Sequence, residues 1–150
     1  MIKQSLLLAL TLMFASCATP TPYQPDKQGV WATPPLGGYT DEKIDDHLYW
    51  VEFLPNGLTS KEATEDYTLL RAAELTLEKG YDRFEIIEWQ KGPVPTYFPP
   101  RIDEPAITII YNKSRMKIRL LDPSSGAHGD VRNARDVAKA IRAKPGFVAR

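Results

Sequence analysis

TSKEATEDYTLLRAAELTLEKG, residues 59–80, is the stretch that decides the fold. Thr59 followed by Glu62 forms a capping box and Gly80 after Lys79 supplies a stop, so the stretch predicts a helix of about twenty residues. Six of its residues share one broad arc, which we expect to lie on a sheet: Ala63, Tyr67, Leu69, Leu70, Ala73 and Leu77. Leu75 falls outside that arc, so we expect it to be less buried.

Glu74 falls inside the arc and needs a partner, because burying an unpaired carboxylate is costly. Arg71 lies one turn back, which favours an Arg71–Glu74 ion pair or a position at the rim of the apolar face. The functional alternative is an acid that faces a ligand.

The segments around this helix alternate in the period of β-strands. Four strands are predicted, at 48–53, from 81 to about 90, at 106–112 and at 115–121, with a tight turn at Asn112-Lys113-Ser114 between the last two. The first has apolar residues at both alternating sets, which favours an interior strand. In the fourth, Ile118 alternates with Lys117 and Arg119, so one face should be buried and the other solvated.

A second helix is predicted near the end of the chain. Asp130 or Asn133 can cap it, and Pro145-Gly146 must follow its end. Its apolar face consists of Ala134, Val137, Ala138 and Ile141. The order β-α-β-β-β-α predicts an α+β fold, with a four-stranded, mostly antiparallel sheet and two helices packed on one face.

Residues 92–105 form the most unusual segment of the predicted domain. Its prolines are expected to forbid regular structure and strand addition, which leaves a long, partly apolar loop. Tyr97 and Phe98 are therefore the candidate partner-binding residues. The alternative is that both rings cover the domain's own core.

The N-terminus reads as an export signal, with Lys3 followed by an apolar run too short to span a membrane. Phe14-Ala15-Ser16-Cys17 resembles the lipobox of bacterial lipoproteins, which makes Cys17 the predicted lipidation site. By resemblance to the sorting rule of Gram-negative lipoproteins, Ala18 implies transfer to the outer membrane, with the domain on the periplasmic side. An ordinary cleaved signal with a cysteine nearby by chance is the alternative.

The predicted organisation is a signal peptide at 1–16, the lipidated Cys17 and a proline-rich tether at 17–38, and one domain at 39–150. Tyr23 and Trp31 interrupt the tether and could dock on the domain or on a partner. Removing residues 1–16 would leave 18 basic and 19 acidic side chains, a balance that argues against nucleic acid as a partner.

No arrangement of reactive side chains stands out. His47 and His128 are the only histidines, and Cys17 is the only cysteine, so we expect no catalytic residue, no metal site and no cofactor. Asp45-Asp46-His47 reads as a solvated turn, although it could hold a cation weakly. Ser124 and Ser125 lie near His128 but lack the Gly-x-Ser-x-Gly pattern of a serine hydrolase.

The chain also resembles a family of small bacterial lipoproteins of unassigned function. The resemblance rests on the lipobox, on Thr21 to Tyr23, on Leu70-Arg71-Ala72-Ala73-Glu74-Leu75-Thr76-Leu77 and on the following Gly80-Tyr81-Asp82. It implies an envelope location and a compact domain.

Three functions follow from these features. The first is a non-enzymatic, membrane-anchored module that binds an envelope partner. The second is a periplasmic enzyme that acts on envelope material through helix carboxylates such as Glu74 and Glu78, and the third is a lipoprotein that senses envelope stress.

Overall fold

The computed structural model describes residues 19–26, 37–100, 102–103, 105–126 and 128–149, which form an α+β fold with an antiparallel sheet and two helices. The strands are β1 (Gly38–Lys43), β2 (Leu48–Leu54), β3 (Arg83–Phe98), β4 (Ile107–Leu121) and β5 (Asp130–Asn133), and the helices are α1 (Lys61–Glu78) and α2 (Ala134–Arg142). No helix among the described residues is both long and apolar enough to cross a membrane.

The sheet has five strands in the order β1-β2-β4-β3-β5, not the predicted four, and the order of elements along the chain differs accordingly. β1 and β5 were missed because they are short and lie at the two edges, where few positions are buried. β2 lies between β1 and β4, as expected of an interior strand. Met116, Ile118 and Leu120 of β4 are buried, as predicted.

Helix α1 begins and ends where the sequence predicts it, but its first cap differs. Ser60, not Thr59, is the N-cap, and its hydroxyl accepts a hydrogen bond from the Ala63 amide at 3.1 Å. At the other end, Gly80 adopts the left-handed region with φ +85°. The amides of Gly80 and Tyr81 donate to the carbonyls of Leu77 and Thr76, which closes the helix in a Schellman arrangement.

The buried surface of α1 is wider than the predicted arc, because threonines form part of it. Thr64, Thr68 and Thr76 are buried, and each hydroxyl donates to a carbonyl four residues earlier. Thr68 Oγ1 also lies 3.3 Å from the carbonyl of Ser114 in β4, so this threonine stripe faces the sheet. Leu75 is buried too, and the expectation that it lies outside the packed face is wrong.

Strands β3 and β4 differ most from the prediction. The third and fourth predicted strands are one continuous strand, and Asn112 to Ser114 form no turn because they pair with Pro93, Gly92 and Lys91 of β3. The expectation that prolines exclude residues 92–98 from regular structure is also wrong, since β3 runs on to Phe98. The two strands together form a long hairpin.

Helix α2 matches its predicted bounds and face. Asn133 is its N-cap and accepts a hydrogen bond from the Asp136 amide at 3.1 Å, whereas Asp130 begins β5. Ala134, Ala138 and Ile141 are buried in the same core as the sheet residues. α2 packs beside α1 and β5, so the two helices meet over this core.

Candidate interaction surface

The outer half of the β3–β4 hairpin extends past the rest of the sheet, and we call residues 91–98 and 107–113 the arm. Strand β2 follows β4 only as far as the pair Phe53–Ser114. Beyond Ser114, the described residues that pair with β4 all belong to β3, up to the pair Phe98–Ile107. At about 3.4 Å per residue, the seven residues from Ile107 to Lys113 extend roughly 24 Å.

Large apolar side chains are exposed on both flanks of the arm. Tyr97 is 64% exposed and Ile110 is 65% exposed, and Val94 and Ile107 are more than a third exposed. Residues that face each other across an antiparallel pair share a flank, which places Tyr97 and Ile110 on the flank that continues the helix side of the sheet. Because a two-stranded ribbon has no second layer, the part of the chain that the structure describes offers these side chains no core to pack against.

Two prolines fit into the arm because of where their nitrogens point. Pro93 and Pro95 are two residues apart, so both nitrogens face the same edge of β3. No described residue pairs with that edge here, since β5 pairs only with residues 83–86 of β3. No hydrogen bond to β4 is lost, and the prolines block the addition of a further strand at this edge. The outer edge of β4, by contrast, carries no proline.

The arm is uncharged between its base and its tip. No Asp, Glu, Lys, Arg or His occurs from residue 92 to 100 or from 105 to 112. Lys91 and Lys113 lie at the base of the arm, and each forms an ion pair. Lys91 Nζ lies 2.8 Å from Glu65 Oε2 of α1, and Lys113 Nζ lies 2.9 Å from Glu52 Oε1. A surface of this composition is typical of a site that contacts a partner or a membrane.

Of the sequence-predicted site residues, Tyr97 lies on the arm. Its side chain is mostly exposed and is not part of the buried core. Phe98 ends β3, and its side chain lies outside the described residues. Val94, Ile107 and Ile110 were missed as site residues, although the uncharged, alternating run from 106 to 112 was a usable signal.

The helix carboxylates proposed for an enzyme are engaged in ion pairs. Arg71 is buried and binds Asp41 with two hydrogen bonds of 2.7 Å and Glu78 with bonds of 2.6 and 2.9 Å. Burial works against the charge on Arg71, but these hydrogen bonds outweigh it and raise the pKa of the guanidinium. Its distance to Glu74 is 3.9 Å, so Arg71–Glu74 is a secondary contact.

Glu74 is held mainly by two other residues. The Tyr23 hydroxyl and Arg142 of α2 both donate hydrogen bonds to its carboxylate. Burial raises the pKa of Tyr23, and the hydrogen bond to Glu74 raises it further. Glu74 therefore ties α1 to α2 and to the N-terminal segment, a structural arrangement that engages both of its oxygens.

Residues 19–26, part of the predicted tether, dock on the domain. The Thr21 amide donates to Thr59 Oγ1 at 2.9 Å, and the Asn56 amide donates to Thr21 Oγ1 at 2.8 Å. Tyr23 packs among Tyr39, Tyr67 and Phe147, as the interpretation of Tyr23 as self-docking predicts. Trp31 and Cys17 lie outside the described residues.

This docking brings the start of the described chain close to the base of the arm. Asn56 follows β2 at the end where Phe53 pairs with Ser114, and its side-chain amide donates to the Thr19 carbonyl at 2.8 Å. The segment then follows the outer edge of β1, where Pro25 bridges to Tyr39, the partner of Phe53. Thr19, the first described residue, therefore lies at the arm end of the sheet.

The Asp45-Asp46-His47 turn lies at the opposite end of the sheet, between β1 and β2. These residues line an open cleft of about 660 Å³ together with Arg119 and Asp122. His47 Nε2 lies 3.9 Å from Asp122 Oδ2, and both side chains are about half exposed. The arrangement is that of the solvated turn that the sequence predicts.

Comparison with known proteins adds no assignment, because no protein-family model, curated protein or solved structure matches this chain.

Proposed function

We propose that this chain is a lipid-anchored lipoprotein of the bacterial cell envelope, whose non-enzymatic domain holds an envelope component through the arm. The exposed, uncharged arm is the observation that carries the proposal. The anchor is Cys17, on the resemblance of residues 14–17 to a lipobox, and Ala18 favours the outer membrane with the domain on the periplasmic side.

A binding role is favoured over an enzymatic one by the contacts of the carboxylates. Glu74 and Glu78 are the acids that a hydrolytic mechanism would use, yet Arg142 and Arg71 bind them. A general acid or base must be free to exchange a proton with a substrate. The same ion pairs have a clear structural purpose, since they join α1 to α2 and to β1.

The anchor is tested by replacing Cys17 and fractionating cells. Cys17→Ser should move the protein from the membrane to the soluble periplasmic fraction, or leave it as an unprocessed precursor. Separation of inner from outer membrane then tests the role of Ala18. A Cys17→Ser protein that fractionates with membranes as the mature wild type does would refute the anchor.

The arm is tested by a double variant, Tyr97→Ser with Ile110→Ser. Both side chains are about two thirds exposed, so the melting temperature should stay close to that of the wild type. The full chain carrying Cys17→Ser, which lacks the anchor, should bind isolated envelopes more weakly when it also carries this double change. Equal binding with and without the arm changes would remove the arm from the function, and a lower melting temperature would give it a stabilising role instead.

A further inference from the structure

We propose that the envelope component held by the arm is the bilayer itself, with the arm lying in the headgroup region beside the lipid anchor. This inference rests on the proposed anchor at Cys17. It names a lipid surface, not a protein, as the partner of the arm.

The first support is position. Thr19 is held by Asn56 at the end of the sheet where the pair Phe53–Ser114 closes the base of the arm. Thr19 therefore lies at the same end of the molecule as the arm, so an anchor at Cys17 would be attached at that end. The charged turn at 44–47 lies at the other end, where β1 meets β2.

The second support is reach. Cys17 and Ala18 separate the acyl chains from Thr19, and two residues of any conformation span at most about 7 Å. The arm extends roughly 24 Å beyond the last paired residue of β2. An anchor this short would keep the base of the arm close to the bilayer, and an arm of this length can then reach the lipid.

The third support is chemistry. The arm offers exposed Val94, Tyr97, Ile107 and Ile110 with no charged side chain beside them between Lys91 and residue 101 or between 104 and Lys113. Tyrosine favours the boundary between lipid and water, where its ring is buried and its hydroxyl is solvated. No described strand pairs with the two outer edges of the arm, so its backbone groups there need headgroups or water as partners, and the arm belongs among headgroups and not in the hydrocarbon core.

A protein strand is the competing occupant. It would pair with the outer edge of β4 at residues 107–113, because Pro93 and Pro95 block the edge of β3. The position and shortness of the anchor favour the bilayer over such a strand. The experiment separates the two.

The experiment places an environment-sensitive fluorophore on the arm of the anchored protein. In lipidated protein the Cys17 sulfur is a thioether, so a new cysteine is the only free thiol. Three full-length variants, Tyr97→Cys, Ile110→Cys and the control Asp46→Cys on the exposed far turn, are labelled with a nitrobenzoxadiazole probe. Each is reconstituted into phosphatidylethanolamine and phosphatidylglycerol vesicles, with and without nitroxide-labelled lipid.

We expect both arm probes to shift to shorter emission wavelengths on reconstitution and to lose intensity in vesicles that contain nitroxide lipid. The Asp46→Cys probe should keep its emission in water and remain unquenched. The proposal would be overturned by arm probes whose emission stays as in water, or whose emission shifts without quenching by nitroxide lipid. The second result would mean that protein, not lipid, covers the arm. Flotation of the same vesicles reports the anchor separately, so a failed anchor and a free arm give different results.

Discussion

At the scale of single residues, Tyr23 joins the N-terminal segment to both helices. Its amide donates to the Val148 carbonyl at 2.7 Å, and its ring packs on Tyr39 and Tyr67. Its hydroxyl donates to Glu74, which Arg142 also binds. Because the hydroxyl is surrounded in this way, the folded state holds Tyr23 neutral to a higher pH than the unfolded chain does.

Tyr23→Phe should lower the free energy of unfolding by about 1.5–3 kcal/mol at neutral pH, the usual contribution of a hydrogen bond to a charged group. A raised folded-state pKa contributes stability below the unfolded pKa of about 10 and loses it as the pH rises above that value. The difference between wild type and Tyr23→Phe should therefore shrink above about pH 10 in urea titrations. Tyr97→Phe, on the exposed arm, is the control and should match the wild type at neutral pH; a pH-independent difference for Tyr23→Phe would contradict this role.

Arg71 uses the planar geometry of its guanidinium to bind Asp41 and Glu78 at once. Lysine cannot reproduce both bidentate contacts, so Arg71→Lys should cost about 1.5–3 kcal/mol of unfolding free energy. The exposed pair Arg135–Asp82 provides the matched control, because Arg135→Lys should change stability by less than about 0.5 kcal/mol. Chemical denaturation of both variants measures the two values, and equal losses would show that burial of Arg71 does not matter.

At the scale of elements, the sequence predicted where helix α1 begins and ends but not which of its faces packs on the sheet. Its bounds follow from local signals, such as Gly80, that act within a few residues. Its packed face could not be read from apolar residues alone, because Thr64, Thr68 and Thr76 satisfy their hydroxyls within the helix and can then be buried. The threonine stripe faces the sheet, whereas Leu69 and Leu77 of the predicted arc are only partly buried.

Leu75→Ala therefore tests the packing of α1. Leu75 is buried, so its removal should lower the free energy of unfolding by about 2–5 kcal/mol, whereas the half-buried Leu77 should lose less when changed to alanine. Urea denaturation of the two variants gives the order directly. A larger loss of unfolding free energy for Leu77→Ala than for Leu75→Ala would show that α1 packs through the face expected from the sequence.

The sequence could not predict the arm, because a proline disrupts a strand only where its nitrogen faces a paired neighbour. The sequence shows Pro93 and Pro95 but not that the edge of β3 they face is free. The run at Asn112 to Ser114 has the composition of a turn, yet it continues β4 because its partners on β3 are in register. Pairing between segments distant in sequence thus determines both the extension of β3 through its prolines and the continuity of β4.

A proline introduced at position 94 should disrupt the pairing of β3 with β4 in the arm. Since the nitrogens of Pro93 and Pro95 face the edge of β3 that no described strand pairs with, the amide of Val94 faces β4, opposite Tyr111. Val94→Pro removes that donor and should make the arm sensitive to limited proteolysis, while Pro95→Thr should leave it resistant. The melting temperature of the domain should change little in either variant, because the arm lies outside the core; equal resistance of both variants would contradict the register.

At the scale of the whole molecule, one end carries both the arm and the point where the N-terminal segment meets the domain. Residues 19–26 of the predicted proline-rich tether dock on the domain, so an anchored domain would sit close to the membrane and not at the end of a long linker. The anchor itself was readable from the sequence as a prediction. The position of Thr19 near the base of the arm depends on the contacts of Thr21 and Asn56, which no local sequence signal predicts.

The most direct test of an arm that binds the envelope beside its anchor is hydrogen exchange, read by mass spectrometry, on the full-length protein. The lipidated chain on vesicles is compared with the Cys17→Ser chain in solution. We expect amide exchange to slow on vesicles in peptides that cover 92–98 and 107–113 and to stay unchanged in the turn at 44–47. Exchange in the arm that is equal in the two states, or protection confined to the far turn, would contradict the proposed function and its orientation.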